Sequence, residues 1–272
     1  MSFAARLIAT DLDGTLWGKS LELHPATREA LAELSRRDVT VIAATGRRPR
    51  SALEGFADNE ILLPAVLLDG TLGEDFAEGT RFHEAFFPAE AADRIIVSFL
   101  EAGVQPCVYI DDPDLDLLVG PEPSTDPGHL ESVAVYARQT DLAAGVAEHP
   151  VLAFTVIGAE RSTVAPLAAR INSMGVAEAT LVADSYYGGT SLSVIPAEVS
   201  KWSGVAAFCQ ERGIPPDAVL AVGDSHNDLA MLRHAGFAVA PTTAAAEVLA
   251  VADTIIDGPD DGGWAQLLDL LA

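Results

Sequence analysis

Asp11 and Asp13 stand one residue apart at the end of the apolar run Leu7-Ile8-Ala9, and Gly14 and Thr15 follow at once. Two ionised carboxylates at the tip of a buried strand repel each other and lose hydration. Such a pair calls for a cation, and a hard divalent ion with oxygen ligands is the simplest candidate. Read alone, the same residues also describe a strand leading into an Asp-Gly turn, since both residue types favour turns. Three further stretches weigh against the plain turn. Val222-Gly223-Asp224-Ser225-His226-Asn227-Asp228 sets two carboxylates and an amide directly after another apolar run. Thr45-Gly46-Arg47 brings a hydroxyl and backbone donors to the end of a third. Lys201 opens a helical stretch, a position the helix macrodipole does not favour for a cation.

Phosphoryl transfer is the chemistry that uses this set. A carboxylate can attack phosphorus and split one difficult displacement into two. A hydroxyl, an ammonium and backbone N–H groups can hold the transferring oxygens, and a second carboxylate can move the proton. Magnesium keeps several waters, so a few acidic ligands and the substrate phosphate complete its coordination.

The elements that must position these groups alternate. Strands are expected over Arg6–Asp11, Thr40–Thr45, Pro64–Leu68, Val219–Val222, Phe237–Ala240 and Thr254–Ile256. Helices are expected over Pro25–Arg36, Asn227–His234 and near Ala244–Val251. This rhythm predicts an α/β, doubly wound parallel sheet, with ligands outside the carboxyl ends of its strands. Between about Phe82 and Thr190 the pattern changes to longer elements, proline breaks and period-two runs, among them Val151–Gly158, Arg161–Met174 and Glu178–Ala183. An inserted α+β domain is expected over residues 82–190, with the core formed by residues 1–81 and 191–272. Asp69-Gly70-Thr71-Leu72 echoes Asp13-Gly14-Thr15-Leu16, but it lacks an acid two positions earlier and reads as a strand-ending turn.

Composition narrows the partners. The chain has 272 residues and a formal net charge of −24, from 40 acidic and 16 basic side chains. That balance argues against nucleic acid and against anionic membrane surfaces. No run reaches the ~18–20 apolar residues of a membrane span, and a cytoplasmic setting is expected. Cys107 and Cys209 sit among apolar neighbours and read as small buried side chains.

Taken together, Asp11-Leu12-Asp13-Gly14-Thr15-Leu16, Thr45-Gly46-Arg47, Lys201 and Gly223-Asp224-Ser225-His226-Asn227-Asp228 resemble, in order and separation, the motifs of haloacid dehalogenase-like (HAD) hydrolases, and more narrowly of the Cof-type phosphatases. The resemblance implies a Rossmann-like HAD core with the insert as cap and substrate lid. It implies a magnesium-dependent hydrolase of phosphate monoesters, acting on a small phosphorylated metabolite such as a sugar phosphate through an aspartyl-phosphate. By the same resemblance Asp11 is nucleophile and metal ligand, and Asp13 is the general acid/base that lends its backbone carbonyl to the metal. Asp224 completes the metal set. Asp228 acts on the metal's waters or on Lys201. Thr45, Gly46, Arg47, Lys201 and Asn227 contact the substrate. Two departures stand out: Asp69-Gly70-Thr71 where relatives usually carry Asn-Gly-Ala, and Trp202 where a small residue is usual.

Two other classes share parts of the pattern. A phosphosugar mutase uses the same nucleophile motif, and a receiver-type signalling module also combines clustered acids with a threonine and a lysine. Asp13 and the long insert favour turnover over signalling. Among the remaining features, Tyr186-Tyr187-Gly188-Gly189 fits either a cap pocket or a hairpin turn, His226 reads as exposed or supporting, and Asp111–Asp116 reads as a solvated turn.

Overall fold

The structure is a computed structural model that describes residues 3–184 and 186–272. The chain divides into two compact units, one made of the residues up to 84 and from 200 onward, the other of residues 85–199.

The first unit is built on an eight-stranded sheet. From one edge its strands run Thr254–Ile256, Phe237–Pro241, Val219–Val222, Leu7–Thr10, Thr40–Ala44, Ala65–Leu67, Leu72–Asp75 and Thr80–Glu84. The first six are mutually parallel. The last two extend the edge in antiparallel fashion, an extension that the sequence reading had not resolved. Leu7–Thr10 lies in the middle and is wholly buried, as a parallel strand covered on both faces must be. From it the chain winds first to Thr40–Ala44 and Ala65–Leu67 on one side. It later returns through Val219–Val222 and Phe237–Pro241 on the other. The order therefore reverses at Leu7–Thr10, where an α/β sheet leaves a crevice at its carboxyl edge. The α/β, doubly wound expectation is borne out.

Helix ends follow from local chemistry. Pro25–Arg36 starts with proline in its first turn, and the His24 ring accepts a hydrogen bond from the Ala26 N–H. Lys201–Arg212 starts with a reciprocal capping box between Ser200 and Ser203 and ends on Gly213 at φ 60°. The reciprocal cap fixes where that helix begins, and so where Lys201 stands.

The second unit carries a six-stranded sheet, ordered Ala177–Ala183, Thr190–Pro196, Val151–Ala159, Cys107–Ile110, Leu117–Val119 and Ala137–Gln139. All its pairings are antiparallel except the last. The helices Ala89–Glu101 and Arg161–Asn172 contribute to one apolar core with Phe99, Phe154 and Ile171 at its heart. Thr190–Pro196 belongs to this sheet, so the boundaries fall after 84 and after 199 rather than at 81 and 190. The physical reason is its pairing: it lies antiparallel between Ala177–Ala183 and Val151–Ala159, with Leu192 and Val194 buried in this unit's apolar core. The Tyr186–Gly189 stretch lies in the hairpin connection between Ala177–Ala183 and Thr190–Pro196. Cys107 and Cys209 are buried free thiols, and burial pushes both up to about 11. Among the described residues no helix is long and apolar enough to cross a membrane.

Candidate active site

Asp11 continues the central strand, and its backbone N–H donates to the Val222 carbonyl at 2.9 Å. That bond aligns the tips of two neighbouring strands. Gly14, at φ +85°, then lets the loop pass under Asp224, for a Cβ there would lie 2.7 Å from Asp224 Oδ2. On the opposite side Gly70, at φ +113°, packs onto the start of the Lys201–Arg212 helix. A Cβ at Gly70 would come within 2.0 Å of the Ser200 carbonyl oxygen. These two close approaches bring polar groups from distant stretches to one crevice.

At its centre Lys201 Nζ donates to Asp11 Oδ1 and to Asp228 Oδ1, each at 2.7 Å. Lys201 is 1% exposed and Asp228 0%. Burial alone would lower the lysine's pKa, but Asp11 and Asp228 outweigh it and hold the ammonium charged well above the usual lysine range. Asp228 Oδ2 accepts from the backbone N–H groups of Asp224 and Ser225, each at 3.0 Å. Both its oxygens are therefore engaged, and the residue braces the loop and the lysine.

Asp11, Asp224 and Asp228 each bring a carboxylate oxygen within 4.8 Å of the others. Burial, with repulsion from Asp228, Asp224 and Asp13, raises Asp11 well above the carboxylate range despite Lys201. Burial and Asp228 raise Asp224 to about 6, while Thr15 Oγ1 donates to its Oδ1 at 3.1 Å. Carboxylates whose pKa burial and mutual repulsion raise are the donor set a divalent cation fits, because the cation offsets both effects. Asp228 has protein donors on both of its oxygens, so Asp11 and Asp224 are the side chains more open to such an ion.

Asp13 faces a different set of partners. Arg47 Nε donates to its Oδ2 at 2.7 Å and Arg47 Nη2 to its Oδ1 at 2.6 Å, a two-pronged pair. Trp17 Nε1 donates to Oδ1 at 3.0 Å. Burial would raise Asp13, but these donors win and hold it below the usual carboxylate range. Arg47, expected at the substrate, thus has its guanidinium on Asp13. Thr45 is buried at the neighbouring strand end, where its Oγ1 accepts from the Arg47 N–H at 3.2 Å. Asn227 Nδ2 donates to Asp69 Oδ1 at 2.9 Å. The same oxygen would lie 3.0 Å from a Cβ on Gly46.

Asp69 is therefore part of the crevice, more than the strand-ending turn its motif suggested and in keeping with its place as a departure that sets an extra carboxylate there. Its left-handed backbone, φ 56°, directly follows Leu68 at φ 48°, and two successive non-glycine residues there are costly conformations that tend to persist at functional sites. The signs in the sequence were the repeat of Asp-Gly-Thr-Leu and the aspartate standing where relatives usually carry asparagine. Trp17 was missed, since a tryptophan after the first motif reads as core. His226 pairs at the surface with Glu247 at 3.1 Å, in line with its expected exposure. Asp112 Oδ1 accepts from the Asp114 and Leu115 N–H groups, as in a turn.

The haloacid dehalogenase-like hydrolase family matches residues 8–268. The chain belongs to that family. The Cof-type expectation stands with it. The chain is 26% identical over 270 residues to the phosphoglycolate phosphatase of Methanopyrus kandleri, covering 96% of this chain and 95% of the relative. It is 24% identical to the phosphatase YwpJ of Bacillus subtilis, over 97% of this chain and 98% of the relative. The crystal structure of TM0651 from Thermotoga maritima superposes with a TM-score of 0.81 at 22% identity, covering 98% of each chain, and so shares the fold.

The buried ion triad yields a stability prediction. Lys201→Met leaves Asp11 and Asp228 uncompensated, which costs about 3–5 kcal/mol near neutral pH. Chemical denaturation near neutral pH should show that loss. An unchanged denaturation midpoint at neutral pH would contradict the triad.

Proposed function

We propose that this chain is a magnesium-dependent phosphatase that hydrolyses phosphate monoesters of small metabolites through a phospho-intermediate on Asp11. The observation that carries the reading is the pairing of a buried Asp11 with the Lys201 ammonium at the carboxyl edge of the central strand. A carboxylate held there by a fixed cation is oriented for in-line attack and prevented from wandering.

In the first displacement an Asp11 oxygen bonds to phosphorus as the ester P–O bond breaks. The bond's electron pair leaves on the ester oxygen, which takes a proton from Asp13. In the second, water attacks phosphorus, Asp13 takes the proton back, and Asp11 is released. Lys201, the Thr45 hydroxyl and the Gly46 and Arg47 backbone hold the phosphoryl oxygens, with Asn227 at the rim. Asp11, Asp224 and the Asp13 carbonyl would hold Mg2+, which supplies charge neutralisation on the phosphoryl group. The inserted unit is read as the lid that selects the leaving group. Two curated relatives are named as phosphatases, which supports this class over a mutase or a signalling module. The two buried free thiols suit a reducing, cytoplasmic setting.

Two measurements test the reading. Asp11→Asn should retain the fold and lose phosphate release by about a thousandfold or more across a panel of phosphorylated metabolites. Release at the unmutated rate would rule the assignment out. Magnesium should also stabilise the protein in a pH-dependent way. Because the folded pKa of Asp224 lies above its unfolded value, the folded state binds the extra proton in between, and this group's contribution to stability falls as pH rises toward about 6. An ion that takes the proton's place removes that penalty. The rise in melting midpoint on adding Mg2+ should thus be larger near pH 7.5 than near pH 5. Equal rises, or none, would count against the metal assignment.

A further inference from the structure

Three donors meet the two oxygens of Asp13, and they differ in how freely they can leave. The Trp17 ring is fully buried and wedged against the helix Pro49–Asp58. A Cβ on Gly55 would lie 3.1 Å from its Cη2, and the Phe56 ring meets it edge-on at 6.4 Å. Its backbone is tied into the same loop: Trp17 N–H donates to the Leu12 carbonyl at 3.1 Å, and Gly14 N–H donates to the Trp17 carbonyl at 2.9 Å. The indole N–H therefore cannot withdraw from Asp13 without disturbing the loop that carries Asp11. Arg47 is held less firmly. Apart from Asp13, the hydrogen bonds of its guanidinium among the described residues are 3.4 Å contacts to Ser51, and it lies 5.4 Å over the Trp17 ring.

The hydrogen-bond chemistry of a carboxyl group then separates the two oxygens. A carboxyl that carries a proton on one oxygen still accepts on the other. The indole bond to Oδ1 is compatible with Asp13 both with and without its proton. The two-pronged Arg47 pair is matched to the carboxylate, since a proton in the favoured syn position on Oδ2 would face the Nε–H. Proton delivery thus requires Arg47 to leave and permits Trp17 to stay.

We propose that Trp17 is a positioning residue whose indole N–H fixes Asp13 Oδ1 throughout the reaction, so that Oδ2 is the oxygen that hands the proton to the leaving group, while Arg47 is the exchangeable partner drawn off by the phosphoryl oxygens. The assignment rests on the phosphatase reading above. A lone carboxylate can swap its oxygens by rotating about its terminal bond. One fixed donor stops that rotation and aims Oδ2.

The test uses leaving groups that differ in their need for a proton. The value of kcat/KM reports the steps up to departure of the leaving group. An alkoxide needs protonation to leave and p-nitrophenolate hardly does. Trp17→Phe removes the N–H. A second variant carrying 3-benzothienylalanine at position 17 keeps the bicyclic ring without the donor, and so covers the case in which phenylalanine fails to fold. The expected result is a loss in kcat/KM of about tenfold or more for an alkyl phosphate and under about threefold for p-nitrophenyl phosphate, in the folded variant. A merely structural role lowers both alike. Equal losses, or no loss, with both esters would overturn the assignment alone. Failure of the unmutated protein to release phosphate from either ester would overturn the phosphatase reading and this assignment with it.

Discussion

A single buried ammonium holds this crevice together. Lys201 is almost fully removed from water, a position that is tolerable for a cation only because Asp11 and Asp228 each accept from it at 2.7 Å. The dependence is mutual. Asp11 lies among Asp13, Asp224 and Asp228, whose repulsion and the loss of hydration raise it, and Lys201 is the charge that opposes them. The triad is thus a constraint on geometry more than a source of net stability. Three stretches of chain, at positions 11, 201 and 228, must close on one another for any of them to be buried.

The packing around the triad serves that closure. Gly70 lets the Lys201–Arg212 helix start directly against a strand end, and Gly204 lets the same helix rest on Val66, since a Cβ there would lie 2.6 Å from Val66 Cγ1. Gly223 leaves room for Asp228, whose Cβ would stand 2.5 Å from an added Cβ. Asp228 in turn pins the Asp224 and Ser225 N–H groups, which fixes the loop that presents Asp224. On the other flank the Trp17 and Arg47 donors set Asp13 apart, so that neighbouring carboxylates of one loop are pushed in opposite directions. Burial and repulsion raise Asp11, whereas hydrogen-bond donors lower Asp13. A nucleophile needs its charge and a proton donor its proton. For the proposed roles both directions must therefore reverse in the working complex, where a bound cation would ionise Asp11 and the departure of Arg47 would let Asp13 take up a proton.

Much of this was legible from residue order. Each of Asp11, Thr45 and Asp224 follows an apolar run. In a parallel sheet all such runs end on the same edge, so the convergence of these groups follows from topology. Lys201 was marked by its awkward place at a helix start. What could not be read was set by backbone conformation and by packing. Asp69 enters the crevice through a left-handed backbone that residue types do not announce. Trp17 acts through one indole N–H, while its size and position suggest only a core residue. Thr190–Pro196 alternates as any antiparallel strand does, and alternation does not say which sheet a strand joins. The edge strand Thr80–Glu84 carries Arg81 and Glu84, and Leu72–Asp75 inside it carries Glu74 and Asp75, charges that mask both runs as strands.

The account stands on covalent capture of phosphorus by one particular carboxylate. Rapid mixing with a phosphate ester in the presence of magnesium, followed by acid quench and peptide mass spectrometry, addresses that directly. The phosphoryl increment should appear on the peptide that carries Asp11, and borohydride reduction should convert Asp11 alone to homoserine. Turnover with no labelled peptide at any quench time, or an increment on a residue other than Asp11, would contradict the account.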